Sequence, residues 1–335
     1  MRNRHAHAKK AMAYTQRGMT LSFLCSKSGQ NNATVETPAG SGLYGAIPRA
    51  GSITHQHLAA VINTLLTREP RPQARMVRLL DMGYGNGALI GHFLDSLPVL
   101  QPGYAFDIFG LDVSDAGQQD PGFEQNTLAY LSSAHPQSRW KDKFKLITSA
   151  TKWPFPNESF DFVTSNQVME HVQDYDFVFN EIARCLRPNG FAIHLFPVRE
   201  VLYEGHAMMP FVHRIKDVNS RAYLMRFFGR LGFRGQYYRE MKRRGWHNIG
   251  EFADVFSQVL QTDTHYMTVR DLVARGTCAR LNTIFTYTKD FYIAKIRSLY
   301  GQRRYLYKDK GFLEKIALLI CKRVSCVTVI QTRAA

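Results

Sequence analysis

The sequence predicts an α/β fold, a doubly wound and mostly parallel sheet with an inserted helical cap. Three observations carry that expectation. Short apolar runs of strand length alternate with helical periodicity between Met76 and Pro197. A glycine cluster follows the first run directly. The alternation breaks over residues 200–265, an aromatic and arginine-rich stretch that reads as mostly helical.

Taken in order, Val77, Leu79 and Leu80 form the first strand, and Ala88 to Leu97 the helix after the glycines. Tyr104 to Leu111, Phe144 to Ile147, Phe160 to Thr164 and Phe191 to Phe196 supply four more strands. Tyr175, Val178, Phe179, Ile182, Cys185 and Leu186 recur at helical spacing. That helix starts near Asp174 and stops at Arg187-Pro188-Asn189-Gly190, because proline and glycine cannot continue it. In the cap, Tyr223, Leu224, Phe227, Phe228 and Leu231 share a helical face, with Arg221, Arg226 and Arg230 elsewhere around it. Strand-like stretches return at Leu281 to Tyr287 and Val324 to Gln331, so residues 266–335 are expected to complete the sheet. The resulting division is a basic tail over 1–50 and one domain over 51–335, with 200–265 as its insertion.

Composition bounds the function. The chain has 335 residues, 45% hydrophobic and 21% charged, enough to bury a sizeable core. No apolar run reaches the roughly 18–20 residues of a membrane-spanning helix. Five scattered cysteines, at 25, 185, 278, 321 and 326, fit neither a disulfide framework nor a zinc module, and a reducing, cytoplasmic setting suits them. The net charge of +16 is uneven. Residues 1–77 carry 10 basic and 2 acidic side chains, 78–199 carry 9 and 14, and 200–335 carry 24 and 11. An acidic centre between basic flanks suits an enzyme core better than a uniformly basic nucleic-acid binder. The first 35 residues hold no acid and six Lys/Arg, which leaves a disordered tail and an organellar targeting segment both open.

The strongest local signal is Leu80-Asp81-Met82-Gly83-Tyr84-Gly85-Asn86-Gly87, at a strand end and before a helix. Glycines there let the backbone turn tightly and a ligand approach it. Gly83, Gly85 and Ala88 also satisfy a nicotinamide-dinucleotide pattern, but Asp81 would repel a pyrophosphate and would accept from an ammonium group. Asp112, at the tip of the second strand, can accept from both hydroxyls of a ribose; the bland alternative is a loop aspartate.

The run from Ala150 through Trp153-Pro154-Phe155-Pro156 to Phe160-Asp161-Phe162-Val163 leads into Thr164-Ser165-Asn166-Gln167-Val168-Met169-Glu170-His171. With the glycine turn, Asp112 and the later Glu181 to Phe191, it resembles class I S-adenosylmethionine-dependent methyltransferases of the type 11 subgroup. The likeness covers residues 77–197 and thins beyond them. It implies a Rossmann-like fold and S-adenosylmethionine as cofactor. It also implies that Asp81, Gly83, Gly85 and Gly87 surround the methionine part, Asp112 the ribose and Val113 the adenine face. Ala150 and Thr151 would flank the adenine, and Asn166 with Gln167 the opening beside the sulfonium. One departure is Ser149, where many relatives carry an acid that accepts from the adenine amino group.

The sulfonium is already an activated donor, so such an enzyme mainly aligns the acceptor and excludes water. Candidate groups toward the acceptor are His171, past the fourth strand, and Glu204, His206 and His213, past the fifth. His171, with Glu170, could equally be a helix-start and packing group. Glu204, His206 and His213 are weak evidence for a metal, and none is expected. The missing Asn/Asp-Pro-Pro-aromatic element and the missing Pro-Cys pair disfavour methylation of nucleic-acid bases. A small-molecule or anionic lipid or glycan acceptor, methylated on oxygen, is the expectation; nucleic acid is disfavoured as a partner. The competing reading is a non-catalytic or RNA-associated scaffold, because Arg221, Arg226, Arg230, Arg234, Arg239, Lys242, Arg243 and Arg244 are interleaved with aromatics. Phe312, Leu313, Ile316, Leu319 and Ile320, with Lys315, Lys322 and Arg323, form an amphipathic basic stretch suited to a peripheral membrane contact or to packing on the sheet.

Overall fold

The computed structural model describes residues 45–70, 76–115, 122–238, 248–308 and 314–334. Residues 1–44 of the tail expected over 1–50 and the basic residues Arg239, Lys242, Arg243 and Arg244 lie outside them, as do Phe312 and Leu313. The chain builds α1 (Ile53–Arg68), β1 (Met76–Met82), α2 (Ala88–Leu100), β2 (Ala105–Val113), α3 (Phe123–Ala134) and α4 (Trp140–Lys143). Next come β3 (Phe144–Ile147), β4 (Phe160–Asn166), a 3-10 turn (Met169–His171), α5 (Tyr175–Cys185) and β5 (Leu186–Pro197).

The cap follows as a two-stranded ribbon, β6 (Tyr203–Glu204) and β7 (Met209–Pro210), then α6 (Val218–Arg230) and α7 (Ile249–Asp263). The chain ends in α8 (Val269–Cys278), β8 (Leu281–Ile284), α9 (Thr288–Ser298), α10 (Glu314–Cys321) and β9 (Cys326–Arg333).

The seven strands lie in the order β3-β2-β1-β4-β5-β9-β8. β1 pairs in parallel with β2 and β4, which in turn pair in parallel with β3 and β5. β9 runs antiparallel to both β5 and β8. The order reverses beside β1, so the crevice at the carboxyl ends of β1, β2 and β4 is where a ligand is expected in such a sheet. The doubly wound, mostly parallel fold expected from the sequence is the one observed.

Strand alternation sends residues to two cores. Val77, Leu79, Phe162 and Ile193 pack with α1, α2 and Phe291 of α9. Leu80, Met82, Val163 and Ala192 pack with Phe179 and Ile182 of α5 and Leu272 of α8. Asp174 caps α5 as the sequence suggests, accepting from the Phe177 amide at 2.9 Å. The cap has its own core of Met209, Val212, Met225, Phe252, Phe256 and Leu260.

On α6 the buried residues are Arg221, Ala222, Met225 and Gly229, whereas Tyr223, Phe227 and Leu231 are exposed. The apolar face seen in the sequence is thus split: Leu224 and Phe228 pack on the cap core, Tyr223, Phe227 and Leu231 lie outside, and Arg221 is buried. Its guanidinium donates to the carbonyls of Ile215 and Ser257 and to the side-chain oxygen of Gln261. Gly229 lets the helices approach, since a Cβ there would lie 2.4 Å from Ile249.

Candidate functional site

The glycine turn is built from left-handed backbone. Gly83, Gly85 and Gly87 have φ of 76°, 49° and 73°, a region that costs side-chain-bearing residues about 1–2 kcal/mol. Gly83 is also crowded, since a Cβ there would sit 2.4 Å from Val168. That contact ties the turn to the segment leaving β4. The Gly83 amide donates to the Leu111 carbonyl and Thr127 donates to that of Gly85. The turn is therefore held by its neighbours before any ligand arrives.

Two carboxylates stand at the tips of adjacent strands. Asp81 is almost wholly buried and accepts from Thr164 at 3.2 Å. Burial pushes its carboxyl up to about 8, with the Thr164 hydrogen bond opposing and the Asp112 charge adding to the rise. Asp112 accepts from the Gly85 amide at 2.9 Å and from its own neighbour Val113 at 2.8 Å. Burial raises it to about 6 against those two hydrogen bonds. One carboxylate suited to an ammonium group and one suited to a diol, beside an open backbone turn, fit S-adenosylmethionine and would repel a pyrophosphate.

Ala150 and Thr151 lie exposed beyond β3. Beside them, Ser149 donates through both its amide and its hydroxyl to Asp115. A carboxylate from the loop after β2 therefore stands next to the position where many relatives carry an acid. Nothing in the sequence pairs Asp115 with Ser149, which are 34 residues apart. Asn166 donates to Thr54, and Thr54 in turn bonds Ser52, the cap of α1, so the start of that helix closes over the tip of β4. The side-chain oxygen of Asn166 is buried without a partner. Gln167 adopts φ 58°, and its amide turns away into the sheet, donating to the Leu195 carbonyl and the Cys326 sulfur. Its side chain thus does not line the opening as expected.

Past β4 and β5 the structure gathers a buried polar chamber. Glu204 is fully buried and its carboxylate accepts from His206 Nδ1 at 2.6 Å and from the Tyr266 hydroxyl at 2.6 Å. The Ala207 amide also donates to it. Burial alone would raise the Glu204 carboxyl, but the His206 charge and these hydrogen bonds win and hold it at about 2. Burial likewise lowers His206, but Glu204 outweighs burial and raises it. His171 packs edge-on against His206, with ring centroids 5.3 Å apart, and its Nδ1 meets the Asp263 carbonyl at 2.7 Å. Burial and the His206 charge push His171 down to about 3.

Glu170 is fully buried and neither carboxylate oxygen has a hydrogen-bond partner. Burial raises it to about 7. His213 stands at the chamber's edge, against the Tyr266 ring and the Arg199 carbonyl. The three groups Glu204, His206 and His213 do not form one ligand set; Glu170, His171 and His206 do come together. Glu170 and Tyr266 were not among the groups expected to face an acceptor. Tyr266 carries no local signal, and Glu170 reads equally well as a packing residue.

Comparison with known proteins agrees with this geometry. Residues 52–258, more than half of the chain, match the family model described as "Methyltransferase domain". A demethylmenaquinone methyltransferase of Corynebacterium glutamicum (strain R) is 27% identical over 120 residues, 33% of this chain and 52% of that protein. Another, from Geobacillus kaustophilus, is 28% identical over 126 residues, 37% of this chain and 46% of that one. The chain thus spans about half the length of the curated relatives it matches.

Among solved structures, an S-adenosylmethionine-dependent methyltransferase from Mesorhizobium loti aligns with TM-score 0.44 and 13% identity, over 87% of this chain and 100% of that one. A Haemonchus contortus phosphoethanolamine N-methyltransferase 2 aligns with TM-score 0.40 and 12% identity, over 86% and 58%. The family match, the strand order and the glycine turn between two strand-tip carboxylates lead to one conclusion: the chain belongs to the methyltransferase-domain family, in its class I, S-adenosylmethionine-dependent branch.

Proposed function

We propose that this protein transfers the methyl group of S-adenosylmethionine to a hydroxyl oxygen of a small-molecule, lipid-linked or glycan acceptor. The observation that carries the acceptor side is the buried polar chamber of Glu170, His171, Glu204, His206 and Tyr266. Glu170 and His171 of this cluster sit on the 3-10 turn after β4, and Val168 of the same segment touches the glycine turn. When bound, the cofactor supplies an electrophilic methyl group on a sulfonium.

The residues proposed to hold it are Asp81, Gly83, Gly85 and Gly87 at the amino-acid end, Asp112 and Val113 at the ribose, and Ala150 and Thr151 at the adenine. Asp115 joins the adenine end in this reading, oriented by Ser149. Asn166 lies beside the sulfonium position, with Gln167 contributing backbone only. On the acceptor side, His171, His206 and Glu204 hold a hydroxyl group in place, and His213 borders the way in. The cap covers this side and keeps water out.

The surface supports a lipid-linked acceptor. No helix among the described residues is long and apolar enough to cross a membrane. Yet Ile316, Leu319 and Ile320 of α10 are all about half exposed or more, and the helix buries no residue fully. α9, which packs against it, exposes Ile296, and the turn after it exposes Leu299 and Tyr300. Lys295, Arg297, Lys315, Lys322 and Arg323 are their neighbours along the chain. Exposed apolar residues with basic neighbours suit an anionic lipid surface, which favours a lipid-linked acceptor met at a membrane.

Carbon is the second acceptor atom considered, because the two bacterial relatives are named for demethylmenaquinone methylation. The test incubates purified protein and a methyl-labelled donor with lipid extract on anionic vesicles, and separately with water-soluble extract. A labelled methoxy product in the lipid fraction is expected, recognised by its carbon-13 shift. A C-methyl product would replace oxygen by carbon, and label confined to the soluble fraction would remove the lipid-linked acceptor.

A further inference from the structure

Three candidate metal ligands converge after β4. Glu170 presents two buried and unpartnered carboxylate oxygens. His171 places Nδ1 2.7 Å from the Asp263 carbonyl, which can only accept, so Nδ1 carries the hydrogen and Nε2 offers a lone pair. His206 places Nδ1 2.6 Å from the Glu204 carboxylate, which fixes the same tautomer when the ring is neutral. One ligating atom from each of Glu170, His171 and His206 lies within 4.8 Å of the other two. A buried, unpartnered carboxylate gathered with two imidazoles is costly unless a cation sits among them. A proton can bridge one pair; a metal ion satisfies all three.

We propose that Glu170, His171 and His206 bind a divalent transition-metal ion, with Glu204 and the Asp263 carbonyl as positioning groups. Two imidazoles and a carboxylate suit zinc, manganese, cobalt or iron(II) better than magnesium or calcium, which prefer all-oxygen sets. A carboxylate or carbonyl on the far nitrogen of each ligating histidine is the usual way such a ring is held and its basicity raised. The sequence offered Glu204, His206 and His213 as the weak metal candidate. The structure instead uses Glu204 to orient His206 and substitutes Glu170 and His171.

Three protein ligands leave positions for an exogenous oxygen. On the methyl-transfer reading, that oxygen is the acceptor hydroxyl. Bound to the ion it loses its proton to solvent near neutral pH, and the resulting alkoxide or phenolate forms an O–C bond to the methyl group as the S–C bond of the sulfonium breaks, leaving S-adenosylhomocysteine. Only this step rests on the proposed function; metal binding does not.

The experiment uses the full chain, stripped with chelator and titrated calorimetrically with zinc, manganese or cobalt ions alone, with bound metal counted by mass spectrometry. About one ion per chain is expected, and Glu170→Gln, His171→Asn and His206→Asn should each weaken it tenfold or more. Glu204→Gln should weaken it about 10- to 100-fold, as loss of an outer partner does. His135→Asn, at the end of α3, should change nothing. S-adenosylhomocysteine binding is measured on every variant. If the wild type lacks that binding but holds the ion, the cofactor reading fails and the metal site stands. A wild type that binds no more ion than Glu170→Gln overturns the proposal. Should the variants misfold, the visible spectrum of the cobalt-loaded wild type decides. Ligand-field bands of a low-coordinate site support it, and the spectrum of the aquo ion overturns it.

Discussion

Asp81 shows how a single residue couples the site to pH. Its folded carboxyl is raised to about 8 by burial, well above its unfolded value. The sign is that of a raised group: the stability it adds is complete below the unfolded value, near pH 4, and drains away as pH climbs toward 8. A bound ammonium group reverses this, because the charged form of Asp81 is the one that pairs with it. Affinity for S-adenosylhomocysteine should therefore rise between pH 6 and 8, by up to about tenfold per unit, with proton release on binding. Calorimetry in buffers of different ionisation heat reads both, and Asp81→Asn should flatten the slope. An affinity that falls over that interval would show Asp81 is not the ammonium partner. At this scale Asp81, the glycines and Asp112 were legible, since strand-end chemistry is local in sequence. Asp115, Glu170 and Tyr266 were not, because each acquires its role from a residue on another element.

Among the elements, β1 to β5 could be read because each is a short apolar run bounded by turn residues. Helix α1 could not. It buries every residue from Gln56 to Leu66, polar ones included, so no amphipathic stripe shows. His57 explains how polar residues are accommodated there: it bonds Tyr307 at 2.7 Å and Thr328 of β9 at 2.8 Å. In α6 the apolar stripe tells only part of the packing, since Leu224 and Phe228 reach the cap core but a buried arginine joins them. Arg221 is inward, because the carbonyls of Ile215 and Ser257 need a donor that an apolar side chain cannot provide. Arg221→Met should cost about 2–4 kcal/mol by leaving those acceptors unmet. The loss should appear as early melting of the cap, followed by hydrogen exchange in α6 and α7, with the central sheet still protected. A cap as well protected as in the wild type would mean that Arg221 does not pin the two helices.

At the scale of the molecule, charge follows function. The acidic centre of the sequence, residues 78–199, holds the strand-tip carboxylates, and many of the basic residues after 200 fall in the cap or in α9, α10 and the residues next to them. The strand order puts the crevice proposed for the cofactor at the reversal beside β1, and the antiparallel β9 lies next to β5, after which Glu204 and His206 follow. Every part of the account depends on S-adenosylmethionine occupying that crevice. The measurement that tests it most directly is calorimetric titration with S-adenosylmethionine, S-adenosylhomocysteine and NAD, on the wild type and on Asp112→Ala. Binding of both sulfur ligands but not NAD, weakened by about 1–3 kcal/mol in a folded Asp112→Ala, is the predicted result. Binding of NAD alone, or sulfur-ligand affinity untouched by the substitution, would contradict it.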